Sequence, residues 1–307
     1  MFQAGQSLLK LQHLRAQEII SFFEFVSDLE GNKNIFEPSG ETAALLFFEP
    51  STRTRMSFQT AAGRLGVQPL VISGKQGTSG EKGETDEDTV KNVAAMDPSV
   101  LVIRCQDDLD LEDLSKKVSM PIINAGWGKK GHPTQALLDA YTIWKKSKRN
   151  LEGVRLLMIG DVLHSRIAFS HFEFLQKLGV SIGICGPSEF IPEPAWCADH
   201  RIECFENLDE ALKWSDAVMA LRVQFERHKD KMKISQEQFH KQYGLTVEKI
   251  RNQKSNLLIM HPGPINYGIE MAEGVMKDAR NCVLEQVRNG VFIRTGILHL
   301  LLGRRKK

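Results

Sequence analysis

Two α/β domains, each a mostly parallel sheet flanked by helices, are what this 307-residue sequence predicts. Short apolar runs of strand length alternate with helical spacing along nearly the whole chain, the pattern of βαβ units. The alternation pauses once, in the polar stretch Lys145 to Gly153, and then restarts, as at a surface connection near a domain boundary. The length also exceeds that of one ordinary core, so two domains are the prior.

Taken in order, Leu8, Leu11, Leu14, Ile19, Phe22, Val26 and Leu29 form a helical stripe, which predicts an amphipathic first helix. A polar turn region, 31–40, follows. Ala43 to Phe48 predicts the first strand, closed by Glu49-Pro50 because proline cannot donate to a ladder. Ser51-Thr52-Arg53-Thr54-Arg55 then opens a helix whose apolar positions, Met56, Phe58, Ala61, Ala62 and Leu65, stop at Gly66. Free N–H groups and the helix dipole favour an anion at such a start. Three hydroxyls and two guanidinium forks turn it into a phosphate cradle without a Walker lysine. The plainer alternative is a capped helix with Ser51 as N-cap and two solvated arginines.

Val67 to Ser73 predicts the next strand, and Gly74 to Glu84 a long polar loop, either solvated or functional, with Ser79 and Lys82 as its anion ligands. Thr85 opens a helix with Asp86, Glu87 and Asp88 in its first turn. Ser99 to Ile103 is a strand with Arg104 at its carboxyl end. That arginine points either to a ligand crevice or to a salt bridge with a nearby loop. Pro121 to Asn124 is a short strand, and Pro133 suits the start of a helix running through Trp144. His132 and Gln135 then lie three apart at a helix N-terminus, able to face one ligand.

Beyond the connection, Val154 to Ile159 is a strand, Gly160-Asp161 a turn, and Ser165-Arg166 opens a helix to Leu178. G-x-G-x-x-G is absent, which sets a dinucleotide aside. Val180 to Cys185, Ala217 to Leu221 and Asn256 to Met260 are further strands, and Leu208 to Trp214 a short helix. Arg222 ends the second of these strands with Gln224 nearby, and the last runs into the rigid turn His261-Pro262-Gly263-Pro264. An amphipathic helix around Val287 to Leu302 closes the chain. Arg166 and Arg222 suit a dicarboxylate, since each guanidinium can grip one carboxylate bidentately.

Composition excludes several classes. Hydrophobic content of 42% with 25% charged residues is that of a soluble globular protein. A net charge of +2, from 40 basic and 38 acidic residues, leaves no nucleic-acid footprint, and the tail Arg304 to Lys307 reads as a solvated end. No apolar run approaches a membrane span, and the N-terminus has no signal-peptide pattern. Five cysteines, odd in number and without C-x-x-C spacing, argue against a disulfide framework or a zinc site and fit a reducing cytoplasm.

Nine collinear stretches resemble the aspartate/ornithine carbamoyltransferase family: residues 47–55 (FFEPSTRTR), 79–85 (SGEKGET), 102–104 (VIR), 132–135 (HPTQ), 160–161 (GD), 165–166 (SR), 221–224 (LRVQ), 261–264 (HPGP) and 289–294 (NGVFIR). The turn at 261–264 and the Ser79 to Lys82 loop place the resemblance on the aspartate branch. It implies a carbamoyl-phosphate-binding domain of residues 1–131 plus 286–307 and an aspartate-binding domain of residues 132–285, with the active site in the cleft between them. By resemblance, Ser51, Thr52, Arg53, Thr54 and Arg104 hold the phosphate of carbamoyl phosphate. Thr54, Arg104 and His132 donate to its carbonyl oxygen, so Arg53, Thr54, Arg104 and His132 form the catalytic set. Gln135 and the Pro262-Gly263-Pro264 turn orient the carbamoyl NH2. Arg166, Arg222 and Gln224 hold aspartate, joined by Lys82, which with Ser79 comes from a neighbouring subunit of a homotrimer.

The implied activity is transfer of the carbamoyl group to the α-amine of L-aspartate, an early step of pyrimidine synthesis, with no cofactor and no covalent intermediate. Regulatory chains or a dihydroorotase remain open as partners. So do a carbamoyltransferase with another amino-acid acceptor and a non-catalytic relative acting in assembly. Trp127, Gln59, Ile167 and Tyr267 depart from the family pattern, and Trp127 is the one able to alter the cleft rim or a subunit contact.

Overall fold

The computed structural model of the chain describes residues 2–31, 40–223, 225 and 234–303; Gln224, nearly all of the 31–40 turn region and the basic tail lie outside the described residues. The chain divides into two compact units, Met1–Leu138 with Val287–Lys307, and Asp139–Gln286. These units part within the helix opened by Pro133, a few residues on from the expected 131/132. His132 and Thr134 are bound into the first unit through side chains of Thr54 and Arg294, so the first turn of the helix they open stays there.

The first unit holds α1 (Ala16–Gly31), β1 (Thr42–Phe47), α2 (Thr52–Arg64), β2 (Gln68–Ser73), α3 (Asp86–Ala94), β3 (Val100–Cys105), α4 (Leu111–Lys117), β4 (Ile122–Trp127) and the start of α5 (Pro133–Lys146). Its four strands are all parallel in the order β2-β1-β3-β4. The first helix is shorter than its stripe suggested. Leu8 pairs with Ile123 as an added parallel bridge on the β4 edge, its N–H donating to the Ile122 carbonyl, while Leu11 and Leu14 are buried in the turn that leads to α1. A helical spacing of leucines is equally served by a chain that turns between buried anchors.

The second unit holds β5 (Arg155–Gly160), α6 (Arg166–Lys177), β6 (Ser181–Cys185), α7 (Pro194–Asp199), β7 (Ile202–Phe205), α8 (Leu208–Trp214), β8 (Ala217–Leu221), α9 (Gln236–Tyr243), α10 (Val247–Arg251) and β9 (Leu258–Met260), ending at the start of α11 (Val283–Leu301). Its five strands are also all parallel, ordered β7-β6-β5-β8-β9. The strands expected from apolar runs are present. The short elements α4, α7, β7, α9 and α10 were not anticipated, since so few residues give no period to detect. Local capping sets some of them: Asp110 accepts from the amides of Glu112 and Asp113 to start α4.

In each sheet the strand order reverses once, between β1 and β3 in the first unit and between β5 and β8 in the second. Ligands of open α/β sheets bind outside the carboxyl ends of strands at such switch points. Gly160 shows how tightly the second is built. Its φ is +111°, and a Cβ there would lie 2.8 Å from the Leu221 carbonyl oxygen on β8. Gly160→Ala is expected to cost about 1–3 kcal/mol of stability through strain and displacement of β8, read as a fall in the urea midpoint. An unchanged midpoint would show that the strand end yields freely.

Candidate active site

The β1–β3 switch point gathers the first group of predicted residues. Phe47 is in register with Arg104, and the Phe48 amide donates to the Arg104 carbonyl at 2.9 Å, so the end of β3 lies beside the loop that leaves β1. Ser51 occupies the N-cap of α2 with extended backbone, φ −161°, yet its hydroxyl makes no capping bond. The plain capped-helix reading therefore does not describe this start. At this start Ser51 is half-buried, Thr52 exposed and Thr54 buried. Arg53 lies on the surface, but enough of its guanidinium is enclosed that burial lowers its pKa below the ordinary value. It stays charged regardless, and an anion beside it would offset the lost hydration.

Arg104 makes the salt bridge to a nearby loop that was one of its two readings, and it stands at the switch point where the other reading places a ligand. Its side chain is 17% exposed, its Nη1 donates to the Ala125 carbonyl at 3.3 Å, and its Nε stands 3.9 Å from a Glu49 carboxylate oxygen. Glu49 also accepts from the Gln106 amide. The guanidinium is thus braced from two sides at the switch point, which fixes its direction in the way a bound anion requires. His132, buried to 3% exposure, places Nε2 3.5 Å from the Thr54 hydroxyl. Hydroxyl and imidazole meet although 78 residues separate them, and Gln135 sits one turn on, its amide donating to the His132 carbonyl.

A residue given no role by sequence reasoning holds this arrangement. Arg294 of α11 is buried, donates to the Ser57 hydroxyl at 2.9 Å and to the Thr134 hydroxyl at 3.3 Å, and lies over the Phe58 ring at 5.2 Å. It ties α2 to the start of α5, the helices that carry Thr54 and His132. An arginine among the apolar positions of a helix, four after Gly290, was the available signal; a Cβ at Gly290 would fall 2.7 Å from its Nη1. Trp127 is a core residue. It is fully buried in the core with Ala44, Leu46, Ile103 and Cys105, with the Lys130 ammonium 4.0 Å above its ring, because β4 runs on through residue 127. It lines no rim. Ser79 and Lys82 stand on an exposed 3₁₀ turn after the edge strand β2.

The β5–β8 switch point gathers the second group. Gly160 and Leu221 are paired, so the chain leaving β5 and the chain leaving β8 start side by side. Arg166 is the first residue of α6, capped by Ser165, and Arg222 follows β8 directly. Gln224 lies outside the described residues. The 261–264 turn leaves β9, next to β8. It is fixed by Gly263 N–H donating to His261 Nδ1 at 2.7 Å and by His261 Nε2 at 3.1 Å from Glu270, while the Asn266 side-chain amide donates to the Val223 carbonyl. Pro262 and Gly263 are half-buried there, and Pro264 is exposed.

Two parallel α/β units, each with basic groups gathered at its own switch point, define a protein that handles small anionic substrates. Residues 6–145 match the aspartate/ornithine carbamoyltransferase carbamoyl-P binding domain, and residues 152–301 match the Asp/Orn binding domain of the same family. The chain belongs to the aspartate/ornithine carbamoyltransferase family. Among its relatives, the aspartate carbamoyltransferase catalytic subunit of Chlorobium chlorochromatii is 40% identical, covering 98% of this chain and 99% of the relative. That of Chlorobium phaeovibrioides is 39% identical over 96% and 98%. Aspartate transcarbamoylase from Trypanosoma cruzi in complex with carbamoyl phosphate superposes with a TM-score of 0.86 at 27% identity, covering 97% of this chain and 96% of that one. Its complex with carbamoyl phosphate and aspartate gives 0.84 at 28%, covering 97% of each.

Proposed function

We propose that the chain transfers the carbamoyl group of carbamoyl phosphate to the α-amine of L-aspartate, giving N-carbamoyl-L-aspartate and phosphate, and so serves pyrimidine synthesis. The observation that carries this reading is the cradle at the β1–β3 switch point: an uncapped helix start with Arg53, the braced Arg104, and Thr54 against His132. The first unit binds carbamoyl phosphate through Ser51, Thr52, Arg53, Thr54 and Arg104, and the second binds aspartate through Arg166, Arg222 and Gln224.

The chemistry needs no covalent enzyme intermediate. The neutral amine of aspartate attacks the carbamoyl carbon, forming a C–N bond and a tetrahedral oxyanion that accepts from Thr54, Arg104 and His132. Each preorganised donor of this kind contributes roughly 3 kcal/mol in other enzymes. Collapse breaks the bond from carbon to the phosphate oxygen, and phosphate leaves with the amine proton, its charge met by Arg53, Arg104 and the α2 amides. Gln135 and the carbonyls of Pro262 and Gly263 hold the carbamoyl NH2. Holding both reactants in line supplies much of the remaining acceleration.

The reading includes a homotrimer in which Ser79 and Lys82 serve a neighbour's site. Its support is the outer strand: β2 is a sheet edge, with Leu70 40% and Val71 39% exposed, and Met56 of α2 is 51% exposed. An apolar edge with unpaired backbone groups calls for cover. A cytoplasmic location is supported by five free cysteines; among the described residues, no helix is long and apolar enough to cross a membrane.

The test is phosphate release from carbamoyl phosphate with aspartate and then ornithine as acceptor. Turnover is expected with aspartate; turnover with ornithine alone would sink the reading.

A further inference from the structure

A continuous chain of buried polar groups runs through the second unit behind both parts of its site. It starts at the first turn of α6, where the His171 Nδ1–H donates to the carbonyl of Ile167 at 2.6 Å. Ile167 is the residue after Arg166. On the other side of the ring, Nε2 lies 3.0 Å from Asp139 Oδ2, and both side chains are wholly buried. The other oxygen of Asp139 accepts from the Gln286 amide at 2.7 Å, and the Gln286 carbonyl oxygen accepts from the His261 backbone amide at 3.0 Å. The chain thus ends on the 261–264 turn, whose far side is held by Glu270, accepting from His261 Nε2–H and from the Asn266 amide.

Counting protons shows how strongly the links are bound. The Ile167 carbonyl can only accept, so Nδ1 of His171 carries a proton. Nε2 facing a bare carboxylate would set lone pair against lone pair, so a second proton lies between Nε2 and Asp139. The His171–Asp139 bond is therefore charge-assisted or shared, the stronger class of hydrogen bond, and it sits where water cannot compete. Asp139 in turn leaves Gln286 only one orientation, with its amide toward the carboxylate and its oxygen toward His261. Each link dictates the next.

We infer that His171 is a positioning residue for the aspartate grip: through Asp139 and Gln286 it locks the start of α6, which carries Arg166, to the His261–Pro264 turn. The inference rests on the proposed function, because it assigns Arg166 and this turn to bound substrate. None of the chain touches substrate itself. What it fixes is the direction of the Arg166 fork, and displacement of about 1 Å at such a group costs up to roughly a hundredfold.

The experiment compares the parent protein with His171→Leu/Asp139→Asn, His171→Gln and Gln286→Met in the phosphate-release assay, alongside thermal melts. The double variant removes the buried charge and leaves Gln286 an acceptor, so it is the one suited to fold. Its KM for aspartate is expected to rise about tenfold to a hundredfold, with the KM for carbamoyl phosphate unchanged. Gln286→Met frees the 261–264 turn, which is proposed to hold the carbamoyl NH2, so it raises the KM for aspartate and the KM for carbamoyl phosphate together. His171→Gln, whose amide can still donate to Asp139 while the Ile167 link is lost, restores part of the aspartate affinity. A folded double variant or Gln286→Met with the parent's aspartate KM overturns the inference, as does a rise in both KM values of the double variant in step with a falling Tm. A parent that turns over shows the functional reading intact in either case; a parent that releases no phosphate with aspartate ends both.

Discussion

Arg104→Ala is expected to lower kcat by about 10²–10³, roughly 3–4 kcal/mol of transition-state stabilisation. The size follows from where the guanidinium stands. It stands at the switch point, and in the proposed reaction it meets both the leaving phosphate and the carbonyl oxygen that becomes the oxyanion. It is also held before substrate arrives, by the Ala125 carbonyl and by Glu49. A donor fixed in advance spends no free energy on reorganising as charge develops, so its loss weighs on kcat more than on binding. The fold should survive, because the arginine sits at a strand end and Glu49 keeps Gln106 as a partner. Arg104→Lys separates charge from shape: it keeps the cation but loses the fork, and recovery of only part of the rate is expected. Steady-state kinetics with carbamoyl phosphate varied at saturating aspartate decides the matter. A kcat within about threefold of the parent would remove Arg104 from the chemistry.

Arg222→Ala is expected to act on the other substrate. Loss of a charge-assisted carboxylate grip costs about 2–4 kcal/mol, or roughly 30- to 1000-fold in the KM for aspartate. Carbamoyl phosphate binding should change little, since its proposed ligands in the first unit do not include Arg222. The contrast between the two variants is the informative result: one lowers kcat, the other raises a single KM. Product inhibition by phosphate offers an independent readout, expected to be as in the parent for Arg222→Ala. An aspartate KM unmoved by Arg222→Ala would take this arginine out of the aspartate site.

Much of the architecture was legible because it is written locally. Apolar runs such as Ala43 to Phe48 and Val154 to Ile159 can be buried on both faces only as inner strands of a parallel sheet, and so they are. Helix starts marked by Ser165 and Thr85 are caps in the structure as well. Where local signals mislead, a distant partner has intervened. The leucines at 8, 11 and 14 keep a helical spacing, but Leu8 finds a strand edge 115 residues away. Trp127 stands in a polar loop by sequence and in the core by structure, since β4 carries on past Asn124 and buries it. Arg294 was visible only as part of a matching stretch. Its meaning needed Ser57 and Thr134, which lie 237 and 160 residues away along the chain.

The sequence by itself determined the inventory: two α/β halves, strands of a buried parallel sheet, basic and hydroxyl groups at strand and helix ends, and a cradle suited to a phosphate. Those follow from backbone propensity, periodicity and side-chain chemistry, which act over a few residues. Which strand ends lie side by side was decided by tertiary structure alone. The orders β2-β1-β3-β4 and β7-β6-β5-β8-β9 set Arg104 against the cradle and the segment leading to Arg166 against the start of Arg222. Parallel strands are joined by long crossovers, so their neighbours are chosen by packing over tens of residues rather than by any local signal. The same holds for the buried line from Ile167 through His171, Asp139 and Gln286 to His261, whose members are scattered over three helices and a turn and become one object only when the chain is folded.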